Sequence, residues 1–206
     1  MELSTVLYFL IASVILTLAP GPDIMYLLAK SLADGAKSGI SLAGGLCSGL
    51  VFHTSLVIFG VATLIQQSPT ALAILKYAGA IYLLYLAWGA FCARSDSLKL
   101  NQVQATGSYF KLYRRGIIMN ILNPKVLIFF LAFFPQFVDL NSESVNVQIA
   151  LLGALFALQA FIIFSFVAIC AGKVRDYILN VKNLNKILNY VQCIVLVVIS
   201  GLLLFN

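Results

Sequence analysis

Apolar runs of about 20 residues recur along the chain, and they constrain its fold more than any other feature. The sequence is 62% hydrophobic and only 10% charged, which is too little charge to cover the surface of a soluble domain. A helix of about 20 residues crosses the hydrocarbon core of a bilayer, whereas barrel strands are shorter and alternate in polarity. We therefore predict an all-α integral membrane protein, a single transmembrane domain over residues 1–206, with six helices at about 5–28, 39–65, 71–92, 115–137, 145–171 and 187–205.

The basic residues indicate how this domain is oriented. Of the thirteen Lys and Arg residues, all but Lys76 and Lys125 fall in or at the edges of the links at about 30–38, 93–113 and 173–186. Cytoplasmic loops of membrane proteins carry an excess of such residues, so we expect these three links in the cytoplasm and both termini outside. The net charge of +6 is then an orientation signal beside the lipid bilayer, and no nucleic-acid partner is expected.

The first segment contains Pro20-Gly21-Pro22-Asp23, a sequence that is unfavourable inside a membrane helix. Each proline removes a backbone donor and clashes with the preceding turn. An aspartate at the centre of a bilayer helix costs roughly 2.5–3.5 kcal/mol on insertion scales. The sequence therefore predicts that helix 1 is broken around a site.

The fourth segment has a similar interruption, Asn123-Pro124-Lys125. Six spans divide into two groups of three, and an odd number of spans makes the second group enter the membrane from the opposite side. Paired interruptions in corresponding segments are typical of inverted-repeat transporters, whose site lies at the repeat interface. We predict a 3+3 inverted repeat with helices 1 and 4 broken at prolines, one repeat over about 1–93 and the other over about 112–206, with a cytoplasmic loop between them.

The two interruptions could together bind a zwitterion. A carboxylate could take the free N–H groups of the restarting helices and Lys125, while an ammonium group could take Asp23 and freed carbonyls. Two alternatives stay open: Asp23 and Lys125 could pair with each other and lock the halves together, and Asn120 and Asn123 could satisfy carbonyls that Pro124 leaves unpaired. The predicted substrate-binding residues are Pro20, Gly21, Pro22, Asp23, Asn120, Asn123, Pro124 and Lys125.

Two further polar residues each have two open interpretations. His53 is the only histidine and is either a hydrogen-bonded packing residue or, with Asp23, a candidate for proton coupling. It shares a helix face with Gly45 and Gly49, whose spacing is typical of close helix packing. Lys76, near the outer end of helix 3, either reaches the membrane interface or acts as a gate.

Several classes of protein find no support in the sequence. There is no G-x-x-x-x-G-K-[ST] motif for an ATP-driven pump, and neither H-E-x-x-H nor G-x-S-x-G for a hydrolase, so we expect no enzyme and no catalytic residue. The four cysteines are scattered singly, and Asp23 and His53 are too few to hold a metal, so no metal or cofactor is expected. A small-cation transporter of related architecture and a non-transporting membrane scaffold remain as alternatives.

Five motifs in this order resemble the LysE/RhtB family of amino-acid exporters, of which the homoserine and threonine exporters are typical. The resemblance implies export of amino acids or close derivatives from the bacterial cytoplasm across the inner membrane, driven by the proton-motive force. Together with the paired interruptions, it leads us to expect antiport with protons and alternating access around the breaks in helices 1 and 4. It leaves self-association into a homo-oligomer open. The motifs are Pro20-Gly21-Pro22, Gly45-Leu46-x-x-Gly49-x-x-x-His53, Leu75-Lys76-Tyr77-Ala78-Gly79-Ala80-x-Tyr82-Leu83, Asn120-x-x-Asn123-Pro124-Lys125 and Phe134-Pro135-Gln136-Phe137.

Overall fold

The computed structural model describes residues 1–61, 69–93, 108–139, 142–173 and 184–205. Within these ranges the chain is built of helices, which confirms the all-α prediction. The α-helices are α1 (Leu3–Leu18), α2 (Pro22–Asp34), α3 (Ala36–Leu56), α4 (Pro69–Cys92), α5 (Tyr109–Ile121), α6 (Pro124–Ile128), α7 (Val145–Lys173) and α8 (Leu184–Phe205).

Two of these helices continue in a different pitch. α3 runs into a π-helical turn, Val57–Val61, and α6 runs into a π-helical turn, Phe129–Phe133, followed by a 3₁₀ turn, Phe134–Phe137. α2 and α6 both begin at a proline, a residue that suits the first helical position because its missing N–H would have no partner there.

Four stretches are long and apolar enough to cross a membrane: Ala36–Gly60, Ala73–Cys92, Val145–Ala171 and Leu184–Phe205. α1 and α2 meet the same criteria as a pair whose axes bend by 58°. α5 does so with the extended α6, which we define as α6 with its π and 3₁₀ turns (Pro124–Phe137), and the bend there is 50°. The described residues therefore contain four candidate spans, or up to six if each bent pair crosses once.

α3 lies at the centre of the packing, where it contacts α5, α7 and α2, while α4 pairs with α8. An aromatic cluster joins α1 to α7 and to the end of the extended α6. The Phe9 ring centroid lies 5.1 Å from Phe134, 5.4 Å from Phe137 and 6.3 Å from Phe156. These contacts bring the first, fourth and fifth predicted segments together.

The predicted polar link at 30–38 is wrong in its extent. α2 continues to Asp34, and Lys30 is fully buried in an ion pair with Asp34 one turn later. The link between α2 and α3 is Gly35, whose φ of 86° is readily adopted only by glycine. Lys30 is therefore not a loop cation, because it is paired and buried near the end of α2. Most of the predicted loops at 93–113 and 173–186 lies outside the described residues.

Candidate functional site

The two helix interruptions lie side by side in the interior, joined by one asparagine. Asn123 Nδ2 donates a hydrogen bond to Asp23 Oδ2 at 2.7 Å, across 100 residues of sequence. Asn123 Oδ1 also accepts the Lys125 backbone N–H at 3.0 Å, which caps the start of α6. The Asp23 and Asn123 side chains are only 5% and 3% exposed. The same side chain therefore starts one helix and holds the carboxylate of the other interruption.

The Lys125 ammonium group binds backbone carbonyls at the end of α1. Its Nζ donates to Leu16 O at 3.1 Å and to Ala19 O at 2.9 Å. In a continuous helix the Leu16 carbonyl would accept the N–H of residue 20, but Pro20 has none. Lys125 replaces that donor. Asp23 and Lys125 both lie in the described part of the chain, and they form no ion pair with each other there.

His53 does the same for the second interruption. Its Nε2 lies 3.0 Å from Asn120 O, and because a carbonyl only accepts, Nε2 carries the hydrogen. Asn120 is four residues before Pro124, so its carbonyl has lost its helical donor as well. The Asn123 N–H donates to the same carbonyl at 3.0 Å. The structure therefore gives this fully buried histidine a definite hydrogen-bonding role.

A cavity of about 20 Å³ lies between the interruptions, bordered by Asp23, Asn120 and Lys125. Asp23 Oδ1 and Asn120 Oδ1 are buried there without a hydrogen-bond partner. That volume admits about one water molecule and is far too small for an amino acid. This conformation therefore leaves no room for a substrate in the chamber, and two buried acceptors there have no donor.

Two polar residues at the chamber escaped the sequence analysis. Thr17 borders the cavity, and its Oγ1 accepts a hydrogen bond from Gln159 Nε2 at 2.9 Å while donating to Ser13 O at 2.8 Å. The sequence did contain a sign of this contact, since Gln159 lies in the middle of an apolar segment. Polar side chains in membrane helices commonly form hydrogen bonds to a neighbouring helix.

The remaining predicted residues lie at different distances from the chamber. Pro20 and Gly21 form the first interruption with Pro22 at the start of α2. A Cβ on Gly21 would lie 3.3 Å from Lys125 Nζ, so glycine leaves space for the ammonium group. Lys76 lies on α4, is partly exposed, and is not among the residues that line this cavity.

Glycines bring α3 and α5 into backbone contact beside the chamber. A Cβ on Gly45 would overlap the Tyr113 backbone, and one on Gly49 would lie 2.8 Å from Asn120 Oδ1. On the opposite helix, a Cβ on Gly116 would overlap the α3 backbone. The predicted packing role of the Gly45 and Gly49 face is confirmed, and this close approach puts His53 within reach of α5.

Known proteins match the chain over most of its length. The sequence model of the LysE type translocator family matches residues 14–206. The leucine efflux protein of Salmonella typhimurium is 30% identical over 181 residues, 88% of this chain and 85% of that protein. The leucine efflux protein of Klebsiella pneumoniae subsp. pneumoniae is 30% identical over 183 residues, 89% of this chain and 86% of that protein. No solved structure matches. The family match spans both interruptions and confirms the resemblance, and the chain belongs to the LysE type translocator family.

Proposed function

We propose that this protein is a secondary exporter that carries an aliphatic amino acid, with leucine as the first candidate, out of the bacterial cytoplasm across the inner membrane. The family supports a translocator, and the names of the two relatives support the substrate class. The observation that carries the proposal is the hydrogen bond from Asn123 to Asp23. It joins two interrupted helices at a buried polar chamber, and polar groups inside a membrane protein commonly mark the path of the cargo.

The chamber borders offer partners for each part of an amino acid. Asp23 Oδ1 and Asn120 Oδ1 are free acceptors that suit an ammonium group. The N–H groups in the first turn of α2 suit a carboxylate, because a helix N-terminus attracts anions. Leu50, Phe156 and Phe164 supply an apolar border for an aliphatic side chain.

The proposal includes an architecture and a coupling ion. Each bent helix pair is one interrupted span, the six spans form a 3+3 inverted repeat, and the two repeats rock to open the chamber to either side. Both termini lie outside, as the basic residues predict. Protons drive export by antiport, and Asp23 and His53 are the candidate carriers because Asp23 Oδ1 and His53 Nδ1 are buried without partners.

Counterflow in proteoliposomes tests this function directly. Purified protein is reconstituted and exchange is measured for a panel of amino acids and small cations, with and without a pH gradient. We expect exchange of aliphatic amino acids and net flux that follows the pH gradient. Asp23→Asn and Lys125→Ala are expected to abolish export while insertion into the membrane persists. Exchange of cations without amino acids would replace the proposal with the small-cation transporter, and no flux of either kind would favour the scaffold.

A further inference from the structure

One position beside the chamber already binds an ammonium group, which belongs to the protein itself. A primary ammonium group has three N–H donors and no acceptor. Lys125 Nζ uses two of them on the carbonyls of Leu16 and Ala19, at 3.1 and 2.9 Å. The side chain is only 7% exposed, and Gly21 leaves room for it, since a Cβ there would lie 3.7 Å from Cε and closer still to Nζ.

The other free polar atoms of the chamber favour the same kind of ligand. Asp23 Oδ1 and Asn120 Oδ1 border the cavity together with Lys125 and accept no hydrogen bond. Asp23 is more than nine-tenths buried. The donors of an entering ligand can bind these acceptors, and its positive charge can take the position that the Lys125 ammonium holds.

We propose that the carbonyls of Leu16 and Ala19 are the subsite for the α-ammonium group of the substrate, and that Lys125 competes with the substrate for it. The identity of the ligand rests on the proposed function, but the subsite rests on the contacts of Lys125. When the substrate ammonium displaces Lys125, the chamber opens around it. When the substrate leaves, Lys125 returns to both carbonyls, of which that of Leu16 has lost its helical donor to Pro20.

This assignment opposes the other obvious role for Lys125, which is to bind the substrate carboxylate. A carboxylate partner would strengthen the binding of acids, and its removal would weaken them. A Lys125 that competes with the substrate ammonium would weaken the binding of amines, so its removal would strengthen their binding. The two roles therefore predict opposite changes in the same variant.

The first test is chemical rescue of purified protein. Lys125→Ala removes the ammonium group and leaves space for another. Ethylammonium should therefore raise the melting temperature of this variant and recover at least half of its decrease relative to wild type. Tetramethylammonium, a cation without N–H donors, should not. Wild type and Lys37→Ala, which changes an exposed lysine, should respond to neither. Equal responses of Lys125→Ala to both cations, or none, would overturn the subsite.

The second test uses Lys125→Met, whose side chain keeps apolar packing at this position if the alanine variant does not fold. The methionine side chain is one atom shorter than lysine and has no N–H donor, so the two carbonyls stay without one. Isopentylammonium and 4-methylpentanoate, the amine and acid halves of leucine, are titrated against wild type and the variant by their shift of the melting temperature. We expect the midpoint for the amine to fall about tenfold or more in Lys125→Met, with the acid little changed. An unchanged amine and a weakened acid would assign Lys125 to the carboxylate.

Wild-type counterflow separates this proposal from the proposed function. Selective rescue of Lys125→Ala by ethylammonium without amino-acid exchange by wild type would keep the subsite and reject the exporter. Exchange by wild type without rescue or tighter amine binding would keep the exporter and reject the subsite.

Discussion

Asn123 does two jobs with one amide, and two substitutions can separate them. Its Oδ1 caps α6 by accepting the Lys125 N–H, and its Nδ2 donates to Asp23 across the two interruptions. Serine is as good as asparagine at a helix N-cap but is too short to keep the contact with Asp23. Asn123→Ser therefore removes the cross-link and retains the cap, whereas Asn123→Ala removes both.

The structure gives an expected order of stabilities. Losing an N-cap costs about 1 kcal/mol, and losing a hydrogen bond to a carboxylate costs about 1.5–3 kcal/mol. Asn123→Ser should therefore destabilise by about 1.5–3 kcal/mol and Asn123→Ala by about 2.5–4 kcal/mol. With a conversion of about 2–4 °C per kcal/mol for a chain of this size, the melting temperature should fall by roughly 3–12 °C and 5–16 °C.

The assay is thermal unfolding of purified protein, paired with counterflow. Asn123→Ser should lose most transport but less stability than Asn123→Ala. The double variant of Asn123→Ser with Asp23→Asn should show that the stability losses of the two substitutions are not additive. Equal melting temperatures for wild type and Asn123→Ser would show that the Asp23 contact contributes nothing to stability. Equal losses for the serine and alanine variants would refute the capping part of the reasoning.

Three further predictions follow from single contacts. Gly116→Ala should abolish the folded, monodisperse peak in size-exclusion chromatography, because the new Cβ meets the backbone of α3. Gly89→Ala should keep that peak, since nothing lies within 4 Å of its Cβ position. A normal elution profile for Gly116→Ala would contradict the backbone contact. His53→Leu should lower the melting temperature by about 2–4 °C, since one hydrogen bond is worth about 1 kcal/mol. His53→Gln, whose amide can donate to Asn120 O, should recover part of this decrease. Equal melting temperatures for the two variants would rule out the hydrogen bond as the cause. Gly21→Ala should slow counterflow with little change in melting temperature, because its Cβ would lie 3.3 Å from Lys125 Nζ and would hinder the movement of this side chain. Unchanged transport would show that Lys125 need not move past residue 21.

The helical fold and the residues around the chamber could be predicted because they depend on local chemistry. Run length and hydropathy suffice to predict a helix such as α7, which begins and ends within two residues of its predicted bounds. The effect of a proline on a helix can also be predicted from the sequence, because proline has no backbone donor. α1 ends at Leu18, two residues before Pro20, and α5 ends at Ile121, three residues before Pro124.

The contacts themselves could not be predicted, because they depend on how segments far apart in sequence pack. Lys125 was expected to meet Asp23 or a substrate, yet its nearest partners are main-chain carbonyls 106 and 109 residues away, which carry no sequence signal. Lys30 belongs to a polar stretch that predicts a link, whereas its pairing with Asp34 at the end of α2 makes its burial tolerable, since a lone lysine is costly inside a membrane.

The two basic partners of the interruptions come from opposite halves of the chain. Lys125, from the second half, pairs the carbonyl orphaned by Pro20, and His53, from the first half, pairs the carbonyl four residues before Pro124. Moving α1 and α2 away from α5 and α6 would break the bonds that Leu16 O, Ala19 O and Asp23 Oδ2 accept from the second half, at about 1–3 kcal/mol for each group left unsatisfied. Other donors must take over for the chamber to open, and a substrate ammonium group is one of the few that can reach it. In the proposed exporter, the proline interruptions thus make opening depend on the arrival of cargo, which is what distinguishes a carrier from a leak.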